Sequence, residues 1–450
     1  MADTVFEEAR ETKVFDSVDV LVCGGGSSGI FAALASAHHG AETFLIEKEG
    51  FLGGTGTNYL VNPIPEMMGK GGFIEKFMDR MAENGGYIKH DPSEVKYDFS
   101  LANTYDVEIF KFVAQEMLDE AGVKLLLHTP AVKPVVENDV IRGVIFENKS
   151  GRQAILAKRV IDCTGDGDVA ARAGVPFKKG REKDDLMPSV SLLFHLHNDE
   201  PWEDTPTTRF GGIYLISPFM KKTARKKKMR YKTPYDVAFM VPMPVSPGKL
   251  LVNLAHVKNI DGTKAEDLTR AHIIARRQIM EAQEVLRLDP FFSSAYVANT
   301  GTSIYVRETR RIMGEYIINE EDAVQGAHFD DAITSCRYMI DVHPIDSSET
   351  GRYEKHPPFD IPYRSLIPLK IDNLLIAGRC VSSDRVAQSA LRIGGTCMST
   401  GEAAGTAAAL SIQKGIKPRE MDGILIQQAL EEHGVNIRPD KSTIPEECMF

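Results

Sequence analysis

The chain has 450 residues, 43% of them hydrophobic and 26% charged, which is enough to bury a large core and to make two domains or one interrupted domain. A net charge of -10 argues against a general binder of nucleic acid or of anionic membranes. No apolar run approaches the ~20 residues that span a bilayer, residues 1–10 are too acidic for a signal peptide, and six cysteines without a CxxC pair speak against zinc ribbons, iron–sulfur ligation or a dithiol centre, so a cytoplasmic protein without a metal site is expected.

Residues 1–17 read as a polar lead-in in which Val14-Phe15 could add an edge strand. The apolar run 18–23 then feeds Gly24-x-Gly26-x-x-Gly29, a small-residue helical pattern to Gly40, and a second apolar run, 43–46, that ends on Glu47. Strand, tight turn, helix, strand and acid follow in the order that a dinucleotide fingerprint requires. The first glycine makes the turn, the second lets backbone approach a pyrophosphate, and the third lets helix and strand pack closely. The helix start offers free N–H groups to phosphate, with Ser28 among the expected contacts. Glu47, with Lys48 beside it, stands where an acid accepts hydrogen bonds from a ribose diol, which favours FAD or NAD over NADP.

Residues 58–65 should be extended, since residues preceding proline avoid the helical region. Helical spacing marks 66–84 and 106–120. Short strands are expected at 123–128, 131–137, 140–147 and 153–157, and a further strand from Arg159 runs into the glycine turn Thr164-Gly165-Asp166. Three tight strands where a doubly wound fold expects one crossover helix suggest a β-meander between parallel strands. From about Val175 strands recur at 189–197, 237–241 and 249–256, and Thr263-Lys-Ala-Glu266 reads as a capping box opening a helix to about Leu288. Residues 373–379 are again a buried strand ending in glycine, a glycine- and alanine-rich helix starts at Gly394-Gly395, and 421–433 reads as a surface helix.

This architecture resembles the FAD domain of the glutathione-reductase and fumarate-reductase flavoproteins. As a set, Gly24 to Gly29 with Glu47, the Phe51-Leu-Gly-Gly-Thr55 loop, Asp162 to Asp168, Arg307 to Tyr316, Asn373 to Arg379 and Gly401 to Gly405 look like the FAD-dependent oxidoreductases related to the fumarate reductase and succinate dehydrogenase flavoproteins. The resemblance implies an α/β fold: a glutathione-reductase-type Rossmann domain for FAD, a parallel sheet with a β-meander crossover, formed by residues 1–175 and 351–450, with an α+β substrate domain, 176–350, inserted. It implies FAD bound extended. Gly53, Gly54, Thr55 and Thr57 would lie against pyrophosphate or ribityl, Val132 would meet the adenine through its backbone, and Thr164, Gly165 and Asp166 would form a second cofactor loop. Gly378, Arg379, Gly394 and Gly395 would face ribityl and flavin, and Cys397 leaves covalent attachment open. For the last glycine helix, simple close packing is the alternative.

Flavin would carry the redox chemistry, so the protein needs a proton-moving group and cations for a polar substrate. Arg307, in Tyr305-Val-Arg307-Glu-Thr-Arg310-Arg311, is the candidate substrate binder, although these arginines could equally be salt-bridged structure. His343, held between Asp341 and Asp346, is the candidate proton-transfer residue, and a structural histidine is the alternative. Tyr363, with His356 and Arg364, could border the flavin, and Asn58 and Tyr59 could line the same cavity. The expected activity is hydride transfer, a dehydrogenation or reduction, on a small polar, anionic metabolite, with a diffusible electron donor or acceptor, since only one GxGxxG is present; homo-oligomerisation is left open. Eight of the twelve residues 221–232 are basic, so a flavoprotein acting on nucleic acid is the rival, and an electron-transfer subunit is a third reading.

Overall fold

A computed structural model describes residues 4–63, 66–88, 104–199, 208–210, 213–227, 238–243, 245–346 and 349–439. Its central sheet is built from β1 (Lys13–Cys23), β2 (Thr43–Ile46), β3 (Lys124–Leu126), β4 (Ala131–Glu137), β5 (Val140–Asn148) and β6 (Gly151–Asp162), in the order β3-β2-β1-β6-β5-β4. β1, β2, β3 and β6 are parallel, and the late strand Leu374–Ile376 joins parallel to the end of β6. β4, β5 and β6 form an antiparallel meander.

Two expectations about this sheet are corrected. Val14 and Phe15 are no edge strand: they belong to β1, where Val14 pairs with Ala154 of β6. The stretches 153–157 and 159–162 are a single strand, because the polar pair Lys158-Arg159 at their junction is accommodated without a turn. Lys158 reaches solvent and meets Asp19 at 2.6 Å, while Arg159 turns inward and donates to Ser411 Oγ at 2.9 Å and to the Ile416 carbonyl at 2.7 Å.

Both faces of the parallel strands are buried, as such sheets require. Side chains alternate along β1, so Val20 and Val22 join one core with Ile30 and Phe31, while Leu21 and Cys23 join another with Phe44, Ile46 and Ile155. The first core is closed by the helices Ser27–His38 and Gly394–Gln413. They touch so closely that a Cβ on Gly401 would lie 2.0 Å from the Ser28 carbonyl oxygen, and one on Gly405 2.2 Å from that of Ala32. Close packing therefore accounts for these two glycines.

The middle of the chain makes a second, antiparallel sheet of six strands in the order Tyr296–Thr300, Val190–His197, Lys249–Val257, Phe239–Pro242, Ile213–Leu215 and Thr208–Phe210. It has its own apolar cluster, to which the helix Ala265–Leu286 contributes Ala271, Ala275, Ile279 and Val285. The expected capping box does not form there. The N-cap is Lys264, and the Thr263 hydroxyl donates instead to Asp261 at 2.6 Å, while Asp267 accepts the Asp261 N–H at 2.8 Å. The helices expected at 66–84, 106–120 and 421–433 are Gly72–Glu83, Val107–Glu120 and Gly423–Glu432, the last two capped by Asp106 and Asp422. Among the described residues no helix is long and apolar enough to cross a membrane.

Candidate active site

The turns that leave the carboxyl ends of five parallel strands converge on one cleft. Gly24 follows β1, Glu47 follows β2, Thr129 to Ala131 follow β3, Cys163 to Gly165 follow β6, and Gly378 and Arg379 follow Leu374–Ile376. Open α/β sheets bind their ligands in this crevice, where the strand order reverses.

The three fingerprint glycines are there for different reasons. Gly24 has φ +104°, and a Cβ on it would lie 2.5 Å from the Cys163 carbonyl oxygen. A Cβ on Gly29 would sit 1.7 Å from the Gly24 carbonyl oxygen. On Gly26 it would meet nothing nearer than the Gly54 Cα at 3.7 Å, an ordinary van der Waals contact, so the protein itself leaves room for a methyl group at this cleft-lining position. Gly26 is also the N-cap of Ser27–His38 and supplies no side-chain cap, which leaves the first N–H groups free for an anion. A pyrophosphate fits that cradle.

Glu47 is 7% exposed. Its carboxylate accepts the N–H of Gly25 at 2.5 Å and of Glu49 at 2.8 Å, so it holds the glycine loop while facing the cleft. Burial pushes its pKa up, and these two N–H groups oppose the shift only in part. Asp162 organises the second loop from beneath by accepting Thr164 N–H and Oγ–H, at 3.0 and 2.7 Å, and Ala170 N–H at 2.8 Å.

Of the expected cofactor residues, Gly24, Gly26, Ser28, Glu47, Lys48, Gly54, Thr55, Thr164, Gly165, Gly378, Arg379, Gly394 and Cys397 line the cleft, together with Asn58 and Tyr59. Six lie behind it. Gly29 and Gly53 are needed for packing, since a Cβ on Gly53 would be 2.4 Å from Thr57. Thr57 spends its hydroxyl on the Leu52 carbonyl at 2.7 Å, and Gly395 is pressed against the Glu66 carbonyl, 2.1 Å from where its Cβ would be. Val132 is displaced by a bulge: pairing passes from Ala131 with Phe146 to Lys133 with Ile145, so Ala131 faces the cleft in its place. Asp166 supports from outside by accepting from Arg379 at 2.6 Å and from Thr309 at 2.7 Å. Burial works against the Arg379 charge, but Asp166 and the nearby tyrosines outweigh it and its pKa is raised.

The catalytic candidates divide. Tyr363 is corrected: it is 2% exposed, its hydroxyl donates to the Pro418 carbonyl at 2.8 Å, and it takes no part in the cleft. Arg364 pairs with Asp331 at 2.9 Å, and His356 bonds the carbonyls of Tyr338 and Pro357. Arg310 and Arg311 are structural, the first on Asp168 at 3.0 Å and the second on Glu308. Arg307 and His343 do meet, around a very small inner cavity that also touches Asp341, Arg385 and Arg392. Arg307 donates from one nitrogen to the Ser189 carbonyl at 2.7 Å and to Ser191 Oγ at 2.9 Å. His343 Nε2 lies 3.2 Å from Asp341 Oδ1; burial first, and then the Arg307 charge, push its pKa down.

Sequence reasoning missed Arg392, Arg172 and the Thr129-Pro130-Ala131 turn, all of which line the cleft. Arg392 is the link between the cleft and the inner cavity. It donates to Tyr305 Oη and to Asp341 Oδ2, each at 2.6 Å. Of the basic run 221–232, residues 221–227 are the end of the helix Ser217–Lys227, and residues 228–232 lie outside the described residues.

The profile of a family described as FAD dependent oxidoreductase matches residues 19–430. A thiamine thiazole synthase of Methanococcus vannielii is 30% identical over 157 residues, 33% of this chain and 56% of that protein. A glutathione reductase of Schizosaccharomyces pombe is 54% identical over 48 residues, 11% of this chain and 10% of that one. The chain thus spans about half the length of the first of these relatives and a tenth of the second. Among solved structures, the flavin-dependent brominase Bmp2 aligns with a TM-score of 0.50 at 13% identity, covering 92% of this chain and 83% of its own, a likeness of fold alone.

Proposed function

We propose, because this chain belongs to the family of FAD-dependent oxidoreductases, that it is a cytoplasmic enzyme that dehydrogenates or reduces a small polar, anionic metabolite and exchanges electrons with a diffusible partner. The observation that carries the cofactor assignment is the vacancy over Gly26, flanked by two glycines whose own missing Cβ atoms are filled by protein. In this reading Glu47 accepts the ribose diol, the start of Ser27–His38 holds the pyrophosphate, and the Thr129 to Ala131 turn meets the adenine. Arg379, with Gly378, Gly394 and Cys397, borders the flavin ring.

When bound, FAD supplies hydride acceptance or donation at its N5. The protein then has to place the substrate and move one proton. The start of Gly394–Gln413, which carries no side-chain cap, points a positive helix end into the cleft and favours negative charge there. Proton transfer is assigned to His343, whose Nε2 lies 3.2 Å from Asp341 Oδ1 and whose pKa burial lowers; it lines the small pocket that Arg392 joins to the cleft. In this reading the six-stranded sheet, within residues 176–350, belongs to the substrate domain. The closer resemblance to the glutathione-reductase and fumarate-reductase flavoproteins belongs to the same proposal; the β4-β5-β6 meander and the motif set support it.

The test is the absorbance spectrum of the purified protein before and after denaturation, followed by anaerobic titration with dithionite and with a panel of acids, enoates and polyols. Bands near ~370 and ~450 nm, released on denaturation and bleached by one class of the panel, are expected of non-covalent flavin. A colourless protein that cannot be reconstituted with FAD would refute the cofactor assignment, and bleaching by neutral polyols alone would refute the anionic substrate.

A further inference from the structure

Where Arg379 and Arg392 line the cleft the charges do not balance. Arg379 is neutralised by Asp166 at 2.6 Å. Arg392 and Arg307, by contrast, share one carboxylate. Asp341 bonds Arg392 at 2.6 Å, while Arg307, 3% exposed, has only uncharged oxygens as hydrogen-bond acceptors and no ion-pair partner among the described residues. His343 adds no charge, since burial and Arg307 hold it neutral. Two guanidiniums against one carboxylate leave a surplus of one positive charge inside a largely buried cluster. An unbalanced buried charge is costly and calls for an anion.

Only one of the two cations reaches the cleft. Arg307 lines the inner cavity, whereas Arg392 lines both. Arg392 is also braced on two sides: Asp341 takes one terminal nitrogen, and Tyr305 Oη takes the other. Tyr305 is held in turn, its ring 5.0 Å beneath the Arg307 guanidinium and 6.0 Å from the Tyr59 ring. A planar donor fixed in this way is suited to a carboxylate or a similar oxyanion.

We infer that Arg392 is the residue that anchors an oxyanion of the substrate, that Asp341 and Tyr305 are its positioning residues, and that Arg307 supplies the uncompensated charge from behind. This deepens the function proposed here and rests on it. It also moves the anchoring role from Arg307, the residue that the sequence suggested, to one carried on the turn just before Gly394–Gln413.

The experiment uses the FAD-loaded protein and unreactive probes. Acetate and benzoate are titrated against the flavin absorption band, with acetamide and benzamide as neutral isosteres. Saturable band shifts are expected with the carboxylates and not with the amides, and Arg392→Gln should weaken carboxylate binding between about tenfold and a hundredfold, the range for hydrogen bonds to charged groups. Arg392→Lys keeps the charge without the fork and covers a folding failure of the glutamine variant; it should weaken binding by about tenfold. The inference is overturned if amides bind as well as acids, or if Arg392→Lys, loaded with FAD, binds carboxylates like the parent. It is also overturned if the arginine variants shift only the flavin reduction potential, which would assign the charge to the reduced cofactor. A protein that takes up no FAD would bring down the proposed function itself, an outcome read from the spectrum before any probe is added.

Discussion

Gly26 and Gly29 stand three positions apart and should answer differently to the same added methyl group. Gly26→Ala fills the vacancy over the helix start and should lower FAD affinity at least about tenfold, or ~1.4 kcal/mol, while leaving the melting temperature of the apoprotein nearly unchanged. Gly29→Ala drives a Cβ into the Gly24 carbonyl and should destabilise the apoprotein by about 1–3 kcal/mol or more. Flavin fluorescence titration and urea unfolding separate the two effects, and equal loss of stability in both variants would contradict this division. Glu47 sets a pH limit. Its pKa is raised by burial, so the folded state holds the proton more tightly than the unfolded chain does, and ionising it costs stability as pH rises through the raised value. In the proposed role of Glu47, the ribose diol needs the ionised form. FAD affinity is therefore expected to be present above that value and to fall as acidification passes through it, beginning above the ordinary glutamate value of 4.5. A Glu47→Gln variant should bind FAD more weakly at pH 7 and lose this pH dependence. Fluorescence of released flavin measures both, and an unchanged profile in the variant would assign the acid sensitivity elsewhere.

At the scale of elements, legibility follows the kind of physics involved. β2 and β4 have the bounds that the sequence suggests, since their apolar and alternating patterns reflect burial directly. The break expected at 158 and the capping box at Thr263 fail for a common reason: a polar residue found a partner that the pattern does not reveal, Ser411 for Arg159 and Asp261 for Thr263. Cofactor turns were legible where glycine marks them. Thr129 to Ala131 carries no glycine, and Arg392 reaches the cleft only because two helices meet at its turn, so local sequence gave no sign of either. The packing of Gly394–Gln413 on Ser27–His38 gives an element-level prediction. Gly405→Ala, with its Cβ 2.2 Å from the Ala32 carbonyl, should separate the helices and cost about 1–3 kcal/mol in urea unfolding. A cost below ~0.5 kcal/mol would mean that the helices can slide apart freely.

For the whole molecule, the cleft is made by segments that lie far apart in the chain, so the cofactor should act as a clasp. At a free FAD concentration of a hundred times its Kd, the stability gain should be about 2.7 kcal/mol. Because the antiparallel sheet has a core of its own, calorimetry should show the gain in the transition that also exposes the Ser27–His38 and Gly394–Gln413 helices. A gain confined to another transition would place the ligand elsewhere. The end of β6 also has a bearing on how the protein is made. Residues 160–162 pair on one side with β1, which emerges from the ribosome before them, and on the other with Leu374–Ile376, which emerges long afterwards. Until then the growing chain carries an unpaired strand edge at the middle of its main sheet and has only part of a flavin site. Synthesis therefore has a vulnerable interval in which neither backbone pairing nor cofactor can protect the nascent protein, and chaperone dependence should end only once the turn at Gly378 has been translated.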